Sequence, residues 1–571
     1  MKTNQKLVLV IILSVGIALR VYFLFNYELI DAKEHVIFLS DEGIVGLMAK
    51  HIASGTDFPL FFYGQNYLGA FEAYVAALLF SVFGVSNFAL KFVPGMFSVI
   101  LLFVVYLLGK RLFNPWVGAV STLLVAIPSP YFFAWGFKAR GGFIEHVVFS
   151  VLIFFVFSLI YFHRKSTFWL YALLGFLSGI TLWINQLVIP YLAILGILLW
   201  LKRHVLLDKA KLVTLVLPFL LGASPLIIAN IQEPFGTAKT LLIKQFKVKR
   251  DIGRYDNSTK IIKFIEGSSA RLKQILPETV QNLSILFGKE QTWIDESEIP
   301  QTTRIENLPG VPRFFWLVIP LFFGCALLAG CYRKIRATIP SLVRGKFLAC
   351  MKDLDKMDLF LLLFGVSLLT YFSPRFLLVC YPLAAIAAAA FFDNLRGVYV
   401  KALYAALLVG TISLNAYGIV DLALNQRDGS IAKLITTLEA KGCNYGYSTG
   451  PMYQIAFLSL ERTIFVPIGS KSRYPDHEIE VGKASRICYV FIPDQVLEKN
   501  HRAFTKLLEQ EQIKYQQIIT VNSNTNYHIY HSLAPRQRIQ SNVREKLKII
   551  RRNLSQRVLH MPTRKDLPDS L

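Results

Sequence analysis

Long apolar stretches are the feature that most constrains how this chain can fold. Runs such as residues 7–25, 97–108, 149–162 and 314–329 approach the roughly 20 residues with which a helix crosses about 30 Å of hydrocarbon. Hydrophobic residues make up 54% of the 571 positions and charged residues only 17%, unlike the usual composition of a soluble domain. The sequence therefore predicts a polytopic, α-helical integral membrane protein.

The chain is strongly basic, with a formal net charge of +24. Much of the excess lies in short segments between apolar runs, where topology and anionic membrane lipids explain it better than nucleic acid does. The apolar run after the first six residues contains small-x-small triplets but continues well beyond them, so we interpret it as an uncleaved first helix.

Basic connectors mark the cytoplasmic ends of spans and predict about eleven crossings. The stretch Tyr67 to Phe83 is expected to be an interfacial helix, because counting it as a span would place residues 138–145 on the basic side. Its shortness and Glu72 near its start also favour a surface position. The spans are expected near residues 6–26, 88–109, 116–134, 143–162, 168–184, 187–201, 211–230, 312–331, 358–373, 375–394 and 400–421.

Three parts of the chain are predicted from this topology. Residues 1–421 form the transmembrane domain, with outer loops at 28–87 and 231–311. Residues 422–535 mix β-rich and helical stretches and predict a small extracytoplasmic α/β domain, whereas 536–571 form a basic tail. Of the six cysteines, which show no metal-ligand spacing, only Cys443 and Cys488 are candidates for a disulfide.

Three groups of polar residues could carry chemistry. Asp41 and Glu42 begin an amphipathic segment in the first outer loop. They either satisfy the start of a helix, where negative charge is favourable, or supply a general base that takes a proton from an acceptor hydroxyl. The pair is also compatible with a divalent metal, but no second acidic pair with ligand spacing accompanies it, so we expect a metal-independent reaction without a cofactor.

The second group lies at an outer helix boundary and contains Lys138, Arg140, Glu145 and His146 around two adjacent glycines. Ionisable groups entering a span are costly unless they are paired or solvated, so such a cluster predicts a functional site. The alternative is a set of interface anchors. The third group is Arg375 at the outer start of a span, either an anchor or a planar donor for a lipid-linked phosphate.

Together these groups indicate sugar transfer from a lipid phosphate. A hydroxyl attacks the anomeric carbon, the carboxylate removes its proton, and cations stabilise the departing phosphate. Displacement in one step predicts inversion at that carbon.

These residues resemble the GT-C superfamily, specifically the branch of protein O-mannosyltransferases (glycosyltransferase family 39) and lipid A aminoarabinose transferases. The likeness covers about residues 1–395 and depends on the order of several short motifs. After the acidic pair they are Tyr63-Gly-Gln-Asn-Tyr-Leu-Gly, Phe83-Gly-Val-Ser-Asn-Phe, Tyr106-Leu-Leu-Gly-Lys-Arg, Lys138-Ala-Arg-Gly-Gly, Gly222-Ala-Ser-Pro and Arg375-Phe-Leu-Leu.

The resemblance implies a GT-C fold, a polyprenyl-phosphate-linked sugar as donor and an active site outside the cytoplasm of a bacterial inner membrane. It makes Asp41 the leading base or acceptor-orienting carboxylate, with Glu42 beside it. It also implies that Arg375 lies near the donor phosphate, where the residues themselves already predict Lys138 and Arg140. The remaining candidates contact substrate: Tyr63, Gln65, Asn66, Glu145 and His146.

The acceptor class stays open among lipid, glycan and protein. The chain lacks the Lys-Pro-Pro segment of the aminoarabinose transferases and any insertion long enough for the extra luminal domain of eukaryotic protein mannosyltransferases. The alternative functions are a transporter or flippase of lipid-linked sugars and a ligase of lipid-linked glycans. A transporter would place ionisable residues near the middle of broken helices, whereas the candidates here lie at outer boundaries.

Overall fold

The structure is a computed structural model of the chain. It describes residues 3–29, 40–163, 167–201, 208–238, 282–283, 286–287, 318–319, 321–327, 355–370, 373–425, 430–468, 472–491, 498–510, 512, 514–521 and 526–534. The span predicted at 312–331 therefore lies mostly outside the described residues, as do most of the loop 231–311 and the whole tail 536–571.

The chain divides into two compact units. The membrane unit comprises Met1–Glu28 and Met48–Gln426, and the C-terminal unit comprises Leu29–Leu47 and Arg427–Leu571. The division falls inside the helix Ser40–Ala53. The first part of this helix, which contains the predicted acidic pair, therefore belongs to the C-terminal unit.

Apart from two isolated bridges, Phe61 with Gly69 and Leu68 with Asn185, the regular elements described in the first unit are all helices, which confirms the predicted helical class. Two 3₁₀ turns, Gln186–Val188 and Pro374–Leu377, interrupt the series. The α-helices, including the one shared with the C-terminal unit, are α1 (Thr3–Leu29), α2 (Ser40–Ala53), α3 (Phe71–Phe83), α4 (Asn87–Leu112), α5 (Pro115–Ala126), α6 (Pro130–Trp135), α7 (Phe143–Tyr161), α8 (Phe168–Ile184), α9 (Ile189–Leu201), α10 (Lys209–Gly222), α11 (Ser224–Gln232), α12 (Lys356–Thr370), α13 (Cys380–Asn394) and α14 (Val398–Asn425).

Among the described residues, four helices are long and apolar enough to cross a membrane: Asn4–Phe25, Asn87–Leu112, Phe143–Tyr161 and Val398–Ala423. The consecutive helices α10 and α11 meet at 61° and reach the same threshold as a pair, which would bring the number to five. α3, α5, α8 and the Gln186–Leu201 segment are apolar but shorter. The chain is a multi-pass membrane protein, and the count of about eleven spans stays a prediction.

Two predicted helices are broken in the structure. The helix expected over 116–134 ends at Ala126 and resumes at Pro130, because Pro128 and Pro130 disfavour the helical conformation of the residues that precede them. The helix expected over 211–230 bends between α10 and α11 beside the Ser224-Pro225 pair. Both predictions of one continuous helix were wrong at these prolines.

A buried arginine ties the first helix to its neighbours. Arg20 in α1 is 2% exposed and donates from Nη2 to the Val125 carbonyl at 2.9 Å and from Nη1 to that of Ala126 at 3.1 Å. Its Nε donates to Ser98 Oγ of α4 at 2.7 Å. A charge within a span is tolerated when protein groups satisfy it, so Arg20 has a packing role.

The C-terminal unit contains one five-stranded sheet in the order β2-β1-β3-β5-β4. β1 pairs in parallel with β2 and β3, whereas β5 is antiparallel to β3 and β4. Its elements are α15 (Ser430–Ala440), β1 (Tyr445–Ser448), α16 (Met452–Leu458), β2 (Ile464–Pro467), α17 (Pro475–Lys483), β3 (Cys488–Phe491), α18 (Glu498–Gln510), β4 (Lys514–Val521) and β5 (Asn526–Ala534).

Helices cover both faces of this sheet. On one face, residues of α15 and α16 such as Leu434 and Ile455 pack with Val490 of β3. On the other, α17 contributes Val481 and α18 contributes Phe504. Alternate residues of each strand face opposite layers, as strand geometry requires, so the two cores together stabilise a three-layer unit.

A disulfide joins Cys443, just before β1, to Cys488 at the start of β3. The two cysteines that the sequence singled out as candidates are the pair that is bonded. Both residues are fully buried in the core that α15 and α16 form with the sheet, so the bond lies between neighbouring parallel strands.

Candidate active site

The acidic pair begins helix α2, in the part of that helix that belongs to the C-terminal unit. Glu42 is fully buried, whereas the side chain of Asp41 is 21% exposed. Asp41 Oδ1 accepts a hydrogen bond from Nη1 of Arg473 at 3.1 Å. Carboxylates are favourable in the first turn of a helix, which explains the acidic pair at the start of α2. In addition to this position, Asp41 forms an ion pair with Arg473.

Two glycines let α2 approach the α/β fold closely. A Cβ at Gly43 would lie 2.6 Å from the backbone oxygen of Tyr453, and one at Gly46 would lie 2.5 Å from the ring of Phe457. Both contacts are with α16. A larger residue at Gly43 or Gly46 would collide with α16. The two glycines therefore allow the helix turn that carries the acidic pair to pack against α16.

In the membrane unit, the loop between α6 and α7 depends on consecutive glycines with positive φ. Gly141 and Gly142 have φ of 90° and 82°, a region that favours glycine. Their amide groups both donate to Oε2 of Glu72, at 2.5 and 2.8 Å. Glu72 is 1% exposed, so it is an internal acceptor that fixes this loop, and the interfacial position expected for α3 stays a prediction.

The same loop presents two of the predicted phosphate-binding cations. Lys138 Nζ lies 5.1 Å and Arg140 Cζ lies 5.5 Å from the ring centroid of Trp135. Trp135 and Arg140 are 1% and 2% exposed. Stacking on an indole face is favourable for a cation, so the loop can hold positive charge in a site with little water.

Arg375 lies in the 3₁₀ turn before α13, with its guanidinium carbon 5.0 Å from the centroid of the Phe376 ring. Phe376 stacks on Phe143, the first residue of α7, with centroids 6.3 Å apart and an angle of 7°. Phe143 in turn contacts Trp135 at 5.0 Å. A continuous set of aromatic rings therefore connects Arg375 with the loop that carries Lys138 and Arg140.

Glu145 and His146 lie in the first turn of α7, only two and three residues beyond Phe143. They are 0% and 2% exposed. Neither carboxylate oxygen of Glu145 and neither ring nitrogen of His146 makes a hydrogen bond to the part of the chain that the structure describes. Buried polar groups normally have partners, so the two side chains are suited to bind polar groups of a substrate.

Tyr63 belongs to a three-residue polar chain. Its hydroxyl donates to Oδ2 of Asp57 at 2.7 Å and lies 3.0 Å from Nδ1 of His51. Because the hydroxyl proton points to the carboxylate, Nδ1 of His51 is the donor in the second contact. Tyr63 is therefore held in place by two residues that the sequence interpretation did not include.

Gln65 and Asn66 follow in the tight turn that begins at Phe62. The Gln65 amide donates to the Phe62 carbonyl at 2.9 Å, and its Oε1 is buried without a partner among the described residues. Asn66 Nδ2 donates to Oε2 of Glu233, just beyond α11, at 2.6 Å. Asn66 therefore fastens the turn.

The ten predicted site residues divide between the two units. Lys138, Arg140 and Arg375 are connected by aromatic rings in the membrane unit and are called here the cation cluster, and Glu145 and His146 lie in the first turn of α7, which begins at the ring of Phe143. Tyr63, Gln65 and Asn66 lie in a separate turn of the same unit, and Asp41 and Glu42 lie in the C-terminal unit. The described residues contain no group of three or more His, Cys, Asp or Glu side chains placed to hold a metal ion.

Sequence reasoning missed the contacts of Glu72 with Gly141 and Gly142 and of Arg473 with Asp41. The signal for Glu72 was a carboxylate in an otherwise apolar helix, which calls for an internal partner. Arg473 gave only a weak signal, as one member of a polar and aromatic stretch in the appended domain.

A comparison with family models matches residues 70–228 to the family described as dolichyl-phosphate-mannose-protein mannosyltransferase. This segment runs from α3 to α11 and contains the loop of Lys138 and Arg140. No curated protein sequence matches the chain.

Solved structures share its fold at low sequence identity. ArnT from Cupriavidus metallidurans bound to undecaprenyl phosphate has a TM-score of 0.54 and 10% identity, over 92% of this chain and 98% of that one. The archaeal oligosaccharyltransferase AglB from Archaeoglobus fulgidus, in complex with an inhibitory peptide and a dolichol-phosphate, has a TM-score of 0.52 and 12% identity, over 94% and 74%. The A. fulgidus oligosaccharyltransferase complex with Zn and sulfate gives 0.53 and 13%, over 91% and 72%.

The matched segment and the shared fold agree with what the motifs indicated. The resemblance to the GT-C superfamily found in the sequence is confirmed, because residues 70–228 match the mannosyltransferase family model and the chain shares its fold with ArnT and AglB, which are members of that superfamily.

Proposed function

We propose that the protein transfers a sugar from a polyprenyl-phosphate donor to an acceptor hydroxyl outside the cytoplasm, with inversion at the anomeric carbon. The observation that carries the proposal is the cation cluster, in which one continuous set of rings connects Lys138, Arg140 and Arg375. A phosphate carrying a lipid chain requires both positive charge and apolar surroundings, and this cluster supplies both.

The matched family and the fold agree with such a donor. The family description refers to dolichyl-phosphate-mannose, and two proteins of the same fold are described as complexes with dolichol-phosphate and undecaprenyl phosphate. Polyprenyl phosphates share a phosphate head on an isoprenoid chain, which is the chemistry that the cluster favours.

The reaction needs four changes in bonding. An oxygen of the acceptor forms a bond to the anomeric carbon of the sugar, and the bond from that carbon to the phosphate oxygen breaks. The phosphate leaves with the electron pair and the acceptor loses its proton to Asp41. Lys138, Arg140 and Arg375 stabilise the negative charge that develops on the phosphate.

The other predicted residues have separate roles in this proposal. Glu145 and His146 have polar atoms that need partners, so they bind hydroxyl or amino groups of the sugar. Tyr63, Gln65 and Asn66 contact the acceptor, with Tyr63 oriented by Asp57 and His51. Glu42, which is buried, supports the turn that carries Asp41.

The test is transfer of radiolabelled sugar from a panel of polyprenyl-phosphate sugars by the purified full-length protein in native lipid extract. Wild type is expected to form a labelled product, and Asp41→Asn is expected to form little. The configuration at the anomeric carbon of the product, measured by NMR, is expected to be opposite to that of the donor. If no donor is consumed and carrier lipid crosses the vesicle membrane instead, the protein is a transporter and the proposal fails.

The donor site has its own test. Arg375→Lys keeps the charge but loses the planar fork, and Arg375→Gln loses both, so the KM for the donor should rise in that order, by roughly 10-fold or more for the glutamine variant. Arg396→Gln, a change at an exposed arginine of the same unit, is the matched control and should leave the KM unchanged. Equal donor KM values for wild type and Arg375→Gln would remove Arg375 from the phosphate site.

A further inference from the structure

The three parallel strands of the C-terminal sheet, β2, β1 and β3, are connected as in a doubly wound α/β fold. The chain goes from β1 to its neighbour β2 and then returns past β1 to β3, with α16 and α17 on opposite faces. Where strand order reverses in this way, a crevice forms outside the carboxyl ends of the strands, and ligands of such folds bind there.

In this protein the chain's own α2 lies at that edge. Gly43 packs on the backbone of Tyr453 and Gln454, which begin α16 soon after the end of β1. Arg473, in the connection that follows β2, pairs with Asp41. The edge that would ordinarily receive a ligand therefore receives the first turn of the helix that carries the acidic pair.

Arg473 is itself fixed by the α/β fold. Its backbone amide donates to the hydroxyl of Tyr453 at 2.7 Å. The preceding amide, that of Ser472, donates to Oε1 of Glu478 at 2.6 Å. The side chains of Arg473 and Asp41 are 37% and 21% exposed, so both can also be reached from solvent.

We propose that Arg473 is a positioning residue for the reaction: from the carboxyl edge of the sheet, it holds the carboxylate of Asp41 in the orientation in which it meets the acceptor hydroxyl. The inference rests on the proposed function, in which Asp41 takes the acceptor's proton. It gives the C-terminal unit a part in the transfer step, through the guanidinium of Arg473, whose backbone amide is bound by the hydroxyl of Tyr453.

A purely stabilising role explains the pair less well. A partly exposed ion pair contributes little to stability, and such a contribution would not require the bond between the Arg473 backbone amide and the Tyr453 hydroxyl that fixes the arginine. The same unit contains an exposed ion pair for which no role in the reaction is proposed: Arg462 Nε lies 3.1 Å from Glu439 Oε1, with side chains 63% and 35% exposed. Arg462 is therefore the matched control.

The experiment compares wild type, Arg473→Gln, Arg473→Lys and Arg462→Gln as full-length proteins in the transfer assay. Arg473→Gln should lower kcat roughly 10- to 100-fold, because small displacements of a reacting group cost factors of that size, with the donor KM within about 2-fold of wild type. Arg473→Lys should recover part of the loss, and Arg462→Gln should match wild type. The thermal unfolding temperature should be the same for all four.

Coupling to Asp41 separates positioning from other effects. In the Asp41→Asn background, Arg473→Gln should cause no further loss, since the group it orients is already gone. If the fold-loss in kcat of the double variant equals the product of the two single-variant losses, Arg473 acts independently of Asp41 and the inference is overturned. Wild-type kcat in Arg473→Gln would overturn it as well; if that variant fails to fold, wild-type kcat in Arg473→Lys has the same meaning.

The outcomes also distinguish this inference from the proposed function. If wild type transfers no sugar from any donor, the proposed function fails and the inference fails with it. If wild type is active and Asp41→Asn is not, but Arg473→Gln equals wild type, only the inference fails.

Discussion

Glu72 and Arg20 are ionisable side chains buried in the membrane unit, where they are 1% and 2% exposed and have no contact with bulk water. Both satisfy their charge with backbone groups: Glu72 accepts from Gly141 and Gly142, and Arg20 donates to two carbonyl groups at the end of α5. Removing such a charge leaves buried backbone groups without a partner, which costs more than the bond itself contributes.

Glu72→Ala is therefore expected to destabilise the protein and to impair transfer. Two buried amides lose their acceptor, at about 1–3 kcal/mol each, and the loop that carries Lys138 and Arg140 loses its anchor. Thermal unfolding in detergent and the transfer rate measure the two effects. Glu72→Gln keeps an acceptor oxygen and should lose less of both; equal losses in the two variants would contradict the assigned role.

Gly141 offers a second test of the same loop at the level of one residue. Gly141→Ala introduces strain at φ 90° and also a Cβ that would meet Leu68 Cδ2, whereas Gly55→Ala introduces only the strain, since nothing lies within 4 Å of the Cβ at φ 71°. The left-handed conformation alone costs about 1–2 kcal/mol. Gly141→Ala should lower the unfolding temperature and the transfer rate more than Gly55→Ala, and equal effects would show that the loop has room to shift.

At the scale of elements, local sequence predicted where most described helices lie, because their apolar runs are long and their ends carry basic or proline residues. α7 and α8 agree with expectation to within one residue. The breaks before Pro130 and Pro225 have a local cause that hydropathy alone does not register. The Glu72 anchor depends instead on two groups 69 and 70 residues away, and the Asp41 pair on a residue 432 positions away.

The cation cluster likewise combines residues that local sequence predicts with contacts that only the folded structure shows. The sequence predicted Lys138, Arg140 and Arg375 as phosphate ligands from their positions at helix boundaries. It did not predict the rings of Trp135 and Phe143 between them, because aromatic residues are frequent throughout the chain and only packing shows which of them touch.

The disulfide between Cys443 and Cys488 is expected to be a main source of stability for the sheet. It closes a loop with a sequence separation of 45, for which loss of the bond costs about 2–4 kcal/mol. Cys443→Ser with Cys488→Ser should therefore make the C-terminal unit more sensitive to urea, measured by pulse proteolysis of the full-length protein. Cys325→Ser, at an exposed free cysteine, should leave the midpoint unchanged; a shared midpoint for all variants would contradict the expectation.

At the scale of the whole molecule, the two units respond to different physical conditions. The membrane unit is held by apolar packing and internal hydrogen bonds, whereas the C-terminal unit contains imidazoles in its sheet. Burial lowers the pKa of His531 in β5, and the positive charges of Arg486 and Lys441 lower it further. Burial likewise lowers the pKa of His528.

The C-terminal unit should therefore lose stability in mild acid. The folded state keeps His531 neutral, while the unfolded chain binds a proton as the pH falls through the ordinary histidine pKa of about 6.5. The histidine contribution is thus fully present above about pH 6.5 and declines below it, towards the lowered pKa of the folded state. Hydrogen exchange in β5, corrected for intrinsic rates, should show protection falling between about pH 7 and pH 5 in the full-length protein. His531→Gln, which cannot titrate, should flatten that dependence, and an unchanged pH profile in this variant would show that other groups are responsible.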